Sequence, residues 1–266
     1  MKLDDNIYYT SNQGTGSALI FIHGNSLSSK SFEKQLNSPI LRKFNITAID
    51  LPGHGNSMRA DNPSREYSVS SLAQAVVEFI SSKFHESVIL VGHSLGGHVA
   101  IEVAAQLKIL KGLVFFGTPP VSSPIDIPNG FLPTESFSYA FQDNLNEYKL
   151  NKMCRLNLGD SFEYDNMLKN DILNTDKSFR GCLGTSVGKG EFADEIMIVN
   201  ELKIPVAVFH GELDQVVNID YIKKLDIPNL WKSEIQIIKN SPHLSHYVNP
   251  NEFNTLLNKF IIEECT

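Results

Sequence analysis

Short apolar runs alternate along this chain with segments in which apolar residues recur every three or four positions. Runs at 7–10, 18–23, 46–50, 88–91, 113–117, 206–210 and 235–239 predict strands. Several are apolar at nearly every position, as in strands covered by helices on both faces. Val69, Leu72, Ala73, Val76, Phe79 and Ile80 fall on one helical face, and so do Leu95, Val99, Ala100, Val103, Ala104 and Leu107. Phe253, Leu256, Leu257, Phe260 and Ile261 mark a third amphipathic helix. This rhythm predicts an α/β fold with a mostly parallel sheet flanked by helices.

The rhythm breaks between residues 121 and 195. That stretch opens after Pro119-Pro120 with a Pro- and Ser-rich run and shows no clear strand. It carries scattered aromatics: Phe131, Phe137, Tyr139, Phe141, Tyr148, Phe162 and Tyr164. A disordered segment would hold few aromatics, so 121–195 is expected to pack as a helical cap inserted before the last two strands. It would lie over the C-terminal edge of the sheet, where open α/β sheets bind ligands. Residues 1–120 and 196–266 then form the core. The stretch from Gly184 to Gly190, with three glycines, predicts a hinge or an ordinary surface turn.

Composition narrows the function classes. The 266 residues are 42% hydrophobic and 20% charged, enough for a sizeable core. A net charge of −7 and a pI near 5.6 argue against nucleic acid or an anionic membrane as partner. No apolar run approaches the roughly 18 residues of a membrane span, and residues 1–6 lack an apolar signal core. Cys154, Cys182 and Cys265 are widely spaced and odd in number, which suits reduced thiols and a cytoplasmic location.

The chemistry centres on Gly92-His93-Ser94-Leu95-Gly96, between an apolar strand and a helical pattern. Gly-x-Ser-x-Gly is weak alone, but this context makes it a strand-to-helix elbow that exposes the Ser94 hydroxyl. A serine needs a base to take its proton and an acid to orient that base. Asp214 follows the strand at 206–210, and His243 follows the strand at 235–239, so both fall at the edge of the sheet that carries Ser94. Glu212 is a second carboxylate in the first loop, and His246 a rival base beyond the other. His243 and His246 have no further Asp/His cluster with which to hold a metal. The backbone N–H groups of Leu95 and of Asn25, after His23-Gly24, are candidate oxyanion donors, and the Asn25 side chain is a further candidate substrate contact. His93 is placed on the pocket floor and His98 is expected to pack or cap within its helix. His54 belongs to a rigid loop, His85 to the surface, and His210 to a strand end.

These motifs, with Asp50-Leu51-Pro52-Gly53-His54-Gly55-Asn56-Ser57 and Pro250 seven residues after His243, resemble the α/β-hydrolase superfamily over almost the whole chain. More narrowly, the chain is similar to the metal-independent N-acylhomoserine lactone hydrolases of that fold, which inactivate bacterial quorum-sensing signals. The likeness is carried by Ile22-His23-Gly24-Asn25-Ser26, Gln35-Leu36, Ser94-Leu95-Gly96-Gly97-His98 and Gly117-Thr118-Pro119-Pro120-Val121. Asn229-Leu230-Trp231 and the last seven residues match too. The resemblance implies Ser94 as nucleophile, His243 as base, Asp214 as acid, and Asn25 and Leu95 at the oxyanion hole. It also implies lactone contact by a cap tyrosine near a cysteine; Tyr148 with Cys154 is the counterpart, one residue further apart. In that group a tryptophan precedes the nucleophile and the acid is glutamate, where this chain has His93 and Asp214; His93 alters the pocket wall.

The expectation is a cofactor-free serine hydrolase acting on a small acyl ester or lactone, an N-acylhomoserine lactone being the preferred substrate. A carboxylesterase for other small esters and a slow or non-catalytic ligand receptor on the same fold are the alternatives. Serine at the elbow disfavours haloalkane or epoxide chemistry, which usually needs a carboxylate nucleophile.

Overall fold

The computed structural model describes residues 2–4, 7–122, 127–160 and 166–265. The predicted strands form β2 (Ile7–Ser11), β3 (Ala18–Ile22), β4 (Asn45–Ile49), β5 (Val88–His93), β6 (Leu110–Phe116), β7 (Val206–Gly211) and β8 (Gln236–Ile238); an unpredicted β1 (Lys2–Asp4) precedes them. They make one sheet in the order β1-β2-β4-β3-β5-β6-β7-β8. β1 pairs antiparallel with β2, and β2 with β4; every pairing from β4 to β8 is parallel.

Strand alternation decides which helices cover which face, because successive side chains point to opposite sides. Ile20, Ile22, Leu90, Leu113 and Val208 face helices α1 (Val69–Lys83) and α2 (Leu95–Ala104). Leu19, Phe21, Val91, Val114 and Phe209 face the C-terminal helix α7 (Pro250–Glu264), whose Phe253, Leu257 and Phe260 are fully buried. Each such side chain contributes about 1.5–3 kcal/mol. All three helices lie where the periodicity puts them. α1 starts at Ser68, whose hydroxyl accepts from the Ser71 N–H, and α7 has Pro250 in its first turn.

Between β6 and β7 come α3 (Glu147–Leu158), α4 (Met167–Asn174), α5 (Phe179–Gly188) and α6 (Glu195–Glu201). The described residues of this segment form no strand beyond a single bridge from Phe131 to Val217. Phe162 and Tyr164 lie outside the described residues. Phe179 and Leu183 join the apolar cluster of α1 and α2, so the inserted helices share the core of the sheet. α3 and α4 build a further cluster with Leu27 and Leu244, in the loops after β3 and β8. The Gly184–Gly190 stretch is no continuous turn: Gly184 lies within α5, where a Cβ would stand 2.9 Å from that of Phe141. That close packing keeps the segment helical, and the turn comes at Gly190, with φ +72°.

Candidate active site

The parallel register aligns the C-terminal ends of the central strands: Ile22 lies beside Gly92, His93 beside Phe116, and Phe116 beside Phe209. Whatever follows these strands therefore emerges on one edge. Ser94 comes directly after β5 and adopts φ 51°, ψ −120°. A non-glycine residue there is strained by about 1–3 kcal/mol, and such strain persists only where neighbours hold it. The Ser94 N–H donates to the Phe116 carbonyl (2.9 Å), and the Ser94 carbonyl accepts from the Thr118 hydroxyl (3.0 Å) and the Gly97 N–H (2.8 Å). Gly96 is obligatory, because a Cβ there would stand 2.2 Å from the Ile22 carbonyl oxygen.

Asp214 and His243 meet in the loops after β7 and β8. Asp214 Oδ2 accepts from His243 Nδ1 at 2.8 Å, and Oδ1 accepts from the Val216 and Val217 amides at 2.7 and 3.2 Å. Burial pushes the Asp214 carboxyl upward. The His243 charge and these hydrogen bonds outweigh it, holding the group below the usual carboxylate range. Gly117, at φ +58°, makes room for the imidazole; a Cβ there would be 2.9 Å from His243 Cε1. With Nδ1 committed to Asp214, His243 has Nε2 left for proton transfer. His243 and Ser94 line one small cavity, in which no hydrogen bond joins Oγ to the imidazole. Such bonds are often long in unliganded enzymes and tighten around substrate.

Asn25, Ser94 and Leu95 all line a second, somewhat larger apolar cavity, walled by Phe131, Phe137, Phe141, Leu183 and Phe192. Among the described residues neither the Asn25 nor the Leu95 N–H donates to a protein acceptor. The Asn25 loop is held from three sides. Asn25 Nδ2 donates to the Ala140 carbonyl (2.8 Å), Ser26 N–H donates to His54 Nε2 (3.1 Å), and Arg180 Nη1 donates to Ser26 Oγ (3.1 Å). Ser26 Oγ in turn donates to Asn25 Oδ1 (2.9 Å). The Asn25 side chain is thus engaged with the protein rather than turned to a substrate.

A family model described as alpha/beta hydrolase fold matches residues 17–250. The chain belongs to this family. A structure of N-acyl homoserine lactonase AidH, complexed with N-butanoyl homoserine, is 32% identical with a TM-score of 0.92, covering 98% of this chain and 93% of that one. The AB hydrolase superfamily protein YisY of Bacillus subtilis is 27% identical over 261 residues, 93% of this chain and 92% of its own. Putative esterase/lipase 1 of Mycoplasma genitalium is 25% identical over 258 residues, 91% of this chain and 90% of its own. With neighbours of esterase and lactonase type, this α/β-hydrolase is a hydrolytic enzyme.

Other candidates fall outside this α/β-hydrolase site. Glu212 turns away, accepting from Lys239 Nζ (3.1 Å) and the Asn240 N–H (2.8 Å). His246 is fully buried against Phe32, His93, Phe116 and Phe253, and burial pushes it down to about 3. His93 reaches the edge of the smaller cavity but is only 1% exposed, and its Nε2–H donates to the His243 carbonyl at 3.1 Å. Its place is behind His243, at the edge of the cavity rather than in its wall. Tyr148 requires correction: it is 57% exposed and lines neither cavity. α3 turns Leu150, Met153, Cys154 and Leu158 inward, a stripe spaced by three and four residues from which Tyr148 is excluded.

Two features of the site escaped sequence reasoning. His98 does not cap α2; its Nδ1 lies 2.8 Å from Glu195 Oε2 inside the apolar cavity. Arg180, 4% exposed, joins the inserted helices to the Asn25 loop. Both pairings span long sequence separations and leave no local pattern. Among the described residues no helix is long and apolar enough to cross a membrane, and no group of three His, Cys, Asp or Glu side chains is placed to hold a metal ion.

Proposed function

We propose that this enzyme is a serine hydrolase that opens small acyl esters and lactones, N-acyl homoserine lactones being the substrate class it fits best. Ser94 Oγ attacks the carbonyl carbon while its proton passes to His243 Nε2, and Asp214 steadies the imidazolium. The oxyanion takes hydrogen bonds from the Asn25 and Leu95 amides. The carbonyl re-forms, the ester C–O bond breaks, and His243 returns the proton to the leaving alkoxide. Water then attacks the acyl-serine, giving a proton to His243; the bond from the acyl carbon to Oγ breaks, and His243 returns that proton to Ser94 Oγ. From a lactone the product is a hydroxy acid; the steps use only protein groups and water. The segment 121–195 serves as the cap that encloses the acyl chain.

The observation that carries this reading is the 2.8 Å bond from His243 to Asp214, beside a serine in strained elbow geometry on the same cavity. The lactone preference is supported by 32% identity to AidH. The exposure of Tyr148 takes away one expected lactone contact and favours a broader esterase as the second reading. The test offers N-acyl homoserine lactones and p-nitrophenyl esters of several chain lengths to wild type and Ser94→Ala. Turnover should fall at least about 10³-fold in the variant with an unchanged circular dichroism spectrum. Activity near wild type would refute the nucleophile, and hydrolysis of esters without lactones would leave the esterase.

A further inference from the structure

Besides Asn25 and Ser94, the polar side chains lining the apolar cavity are those of His98 and Glu195, among the described residues. His98 stands four residues after Ser94 on α2, and its backbone N–H donates to the Ser94 carbonyl at 3.2 Å. Its Nδ1 lies 2.9 and 2.8 Å from the two oxygens of Glu195. Glu195 Oε2 also accepts from the Val121 N–H at 3.0 Å, and its side chain is 1% exposed. A carboxylate so placed accepts, so the proton is on Nδ1 and the ring orientation is set. Nε2 is left without a protein partner among the described residues. The His98 side chain is 13% exposed, and it lines the cavity with Phe131, Leu183 and Phe192.

We infer that His98, aimed by Glu195, is a specificity-determining residue that selects acyl chains carrying an amide close to the scissile carbonyl. This deepens the proposed function and rests on its assignment of Ser94 as nucleophile. Side chains four apart on a helix have Cβ atoms about 5–6 Å apart, so His98 addresses a group roughly three to five bonds from the carbon under attack. An unbranched hydrocarbon there leaves Nε2 buried against methylenes with its hydrogen bond unmade, which is costly in an apolar pocket. An amide meets either state of the ring. Its N–H donates to the Nε2 lone pair of a neutral imidazole, and its carbonyl accepts from Nε2–H of an imidazolium. The aromatic and aliphatic walls then hold the rest of the chain, so the site reads amide first and hydrocarbon beyond.

Two ester substrates test this without relying on lactone chemistry: p-nitrophenyl N-pentanoylglycinate and p-nitrophenyl octanoate, equal in chain length and differing by the amide. The readout is their kcat/KM ratio, corrected for uncatalysed hydrolysis. Wild type should favour the amide ester by about tenfold or more. His98→Asn keeps a group near Nδ1 to meet Glu195 but loses the reach of Nε2, and should bring the ratio to about one. His98→Gln, with an amide at the depth of Nε2, should recover part of the preference. His98→Leu, which should also abolish it, replaces His98→Asn where that variant does not fold. A wild-type ratio near one overturns the inference, and so does an unchanged ratio in His98→Asn or His98→Leu. N-hexanoyl homoserine lactone and an alkyl γ-butyrolactone of equal length are run beside them. If neither lactone opens while the ester ratio behaves as expected, the lactone reading fails and the role of His98 stands.

Discussion

At the scale of single residues, His93, next to the proposed nucleophile, is turned to His243 and almost wholly buried. Its Nε2–H holds the His243 carbonyl, its Nδ1 has no partner among the described residues, and its ring packs at a tilt against His243, His246 and Phe116, with centroids 4.9–5.1 Å apart. Burial first, and then the neighbouring histidines, keep it well below the usual histidine range, so it stays neutral and supplies a fixed donor. His93→Phe keeps the ring packing and deletes that donor. Leaving one buried carbonyl unpaired should cost about 1–3 kcal/mol in a melting experiment. A less firmly placed His243 should lower kcat about tenfold with KM nearly unchanged. A rise in KM at constant kcat would instead return His93 to the pocket wall. Tyr148 carries the complementary lesson. Its role rested on resemblance, whereas the apolar stripe at Leu150, Met153, Cys154 and Leu158 already placed it outside, and that local signal prevails.

Between elements, the docking of α4 onto the loop after β3 brings an acid into an unfavourable place. Asp171, 4% exposed, accepts from Ser28 Oγ at 2.6 Å, and burial pushes it up to about 6 despite that bond and nearby Lys30. A carboxyl raised in the folded state binds more protons than the unfolded chain between about pH 4 and 6, so its contribution to stability falls as pH rises through that window. Above it the charged form costs about 3 kcal/mol. Asp171→Asn still accepts from Ser28 and cannot ionise. It should raise Tm by several degrees at pH 7.5, and the gain should vanish toward pH 4.5. An equal gain at both pH values would show that titration is not its origin. The parallel strands were legible because each is an apolar run bounded by turn residues, and Ser94, Asp214 and His243 because each follows such a run. β1 was not legible, since three residues are too few for alternation to show and its pairing with β2 is a tertiary matter. The inserted helices were visible only as missing rhythm. Their contacts, such as the Leu244 N–H donating to the Asn157 carbonyl at 2.9 Å beside His243, join segments that share no motif.

For the molecule as a whole, the question is whether the inserted helices move independently of the sheet. Phe179 and Leu183 of α5 lie in one continuous apolar cluster with Leu95 and Val99 of α2, so separating the two layers would expose a shared core. Arg180 strengthens this coupling. Nearly buried, it donates to Ser26 Oγ in the sheet layer and to the carbonyls of Gln142, Asp143 and Ile172 in the inserted segment, at 2.9–3.3 Å. Through Ser26 it reaches Asn25, so the joint that fixes the helices also fixes a proposed oxyanion donor. Arg180→Met removes these donors while retaining much of the packing, and should cost about 2–4 kcal/mol because buried acceptors are left unpaired. If the layers unfold as one unit, calorimetry will show a single transition displaced to lower temperature. Ester turnover at 25 °C, where the variant remains folded, should also fall about tenfold through kcat. An early separate transition with unchanged kcat would mean that the inserted helices open alone and that the Asn25 loop is held by His54 without them. The coupled outcome would mean that access to Ser94 comes from local motion of side chains such as Phe131 and Phe137, since a rigid swing of the whole insert would dismantle the loop that carries the proposed oxyanion donor.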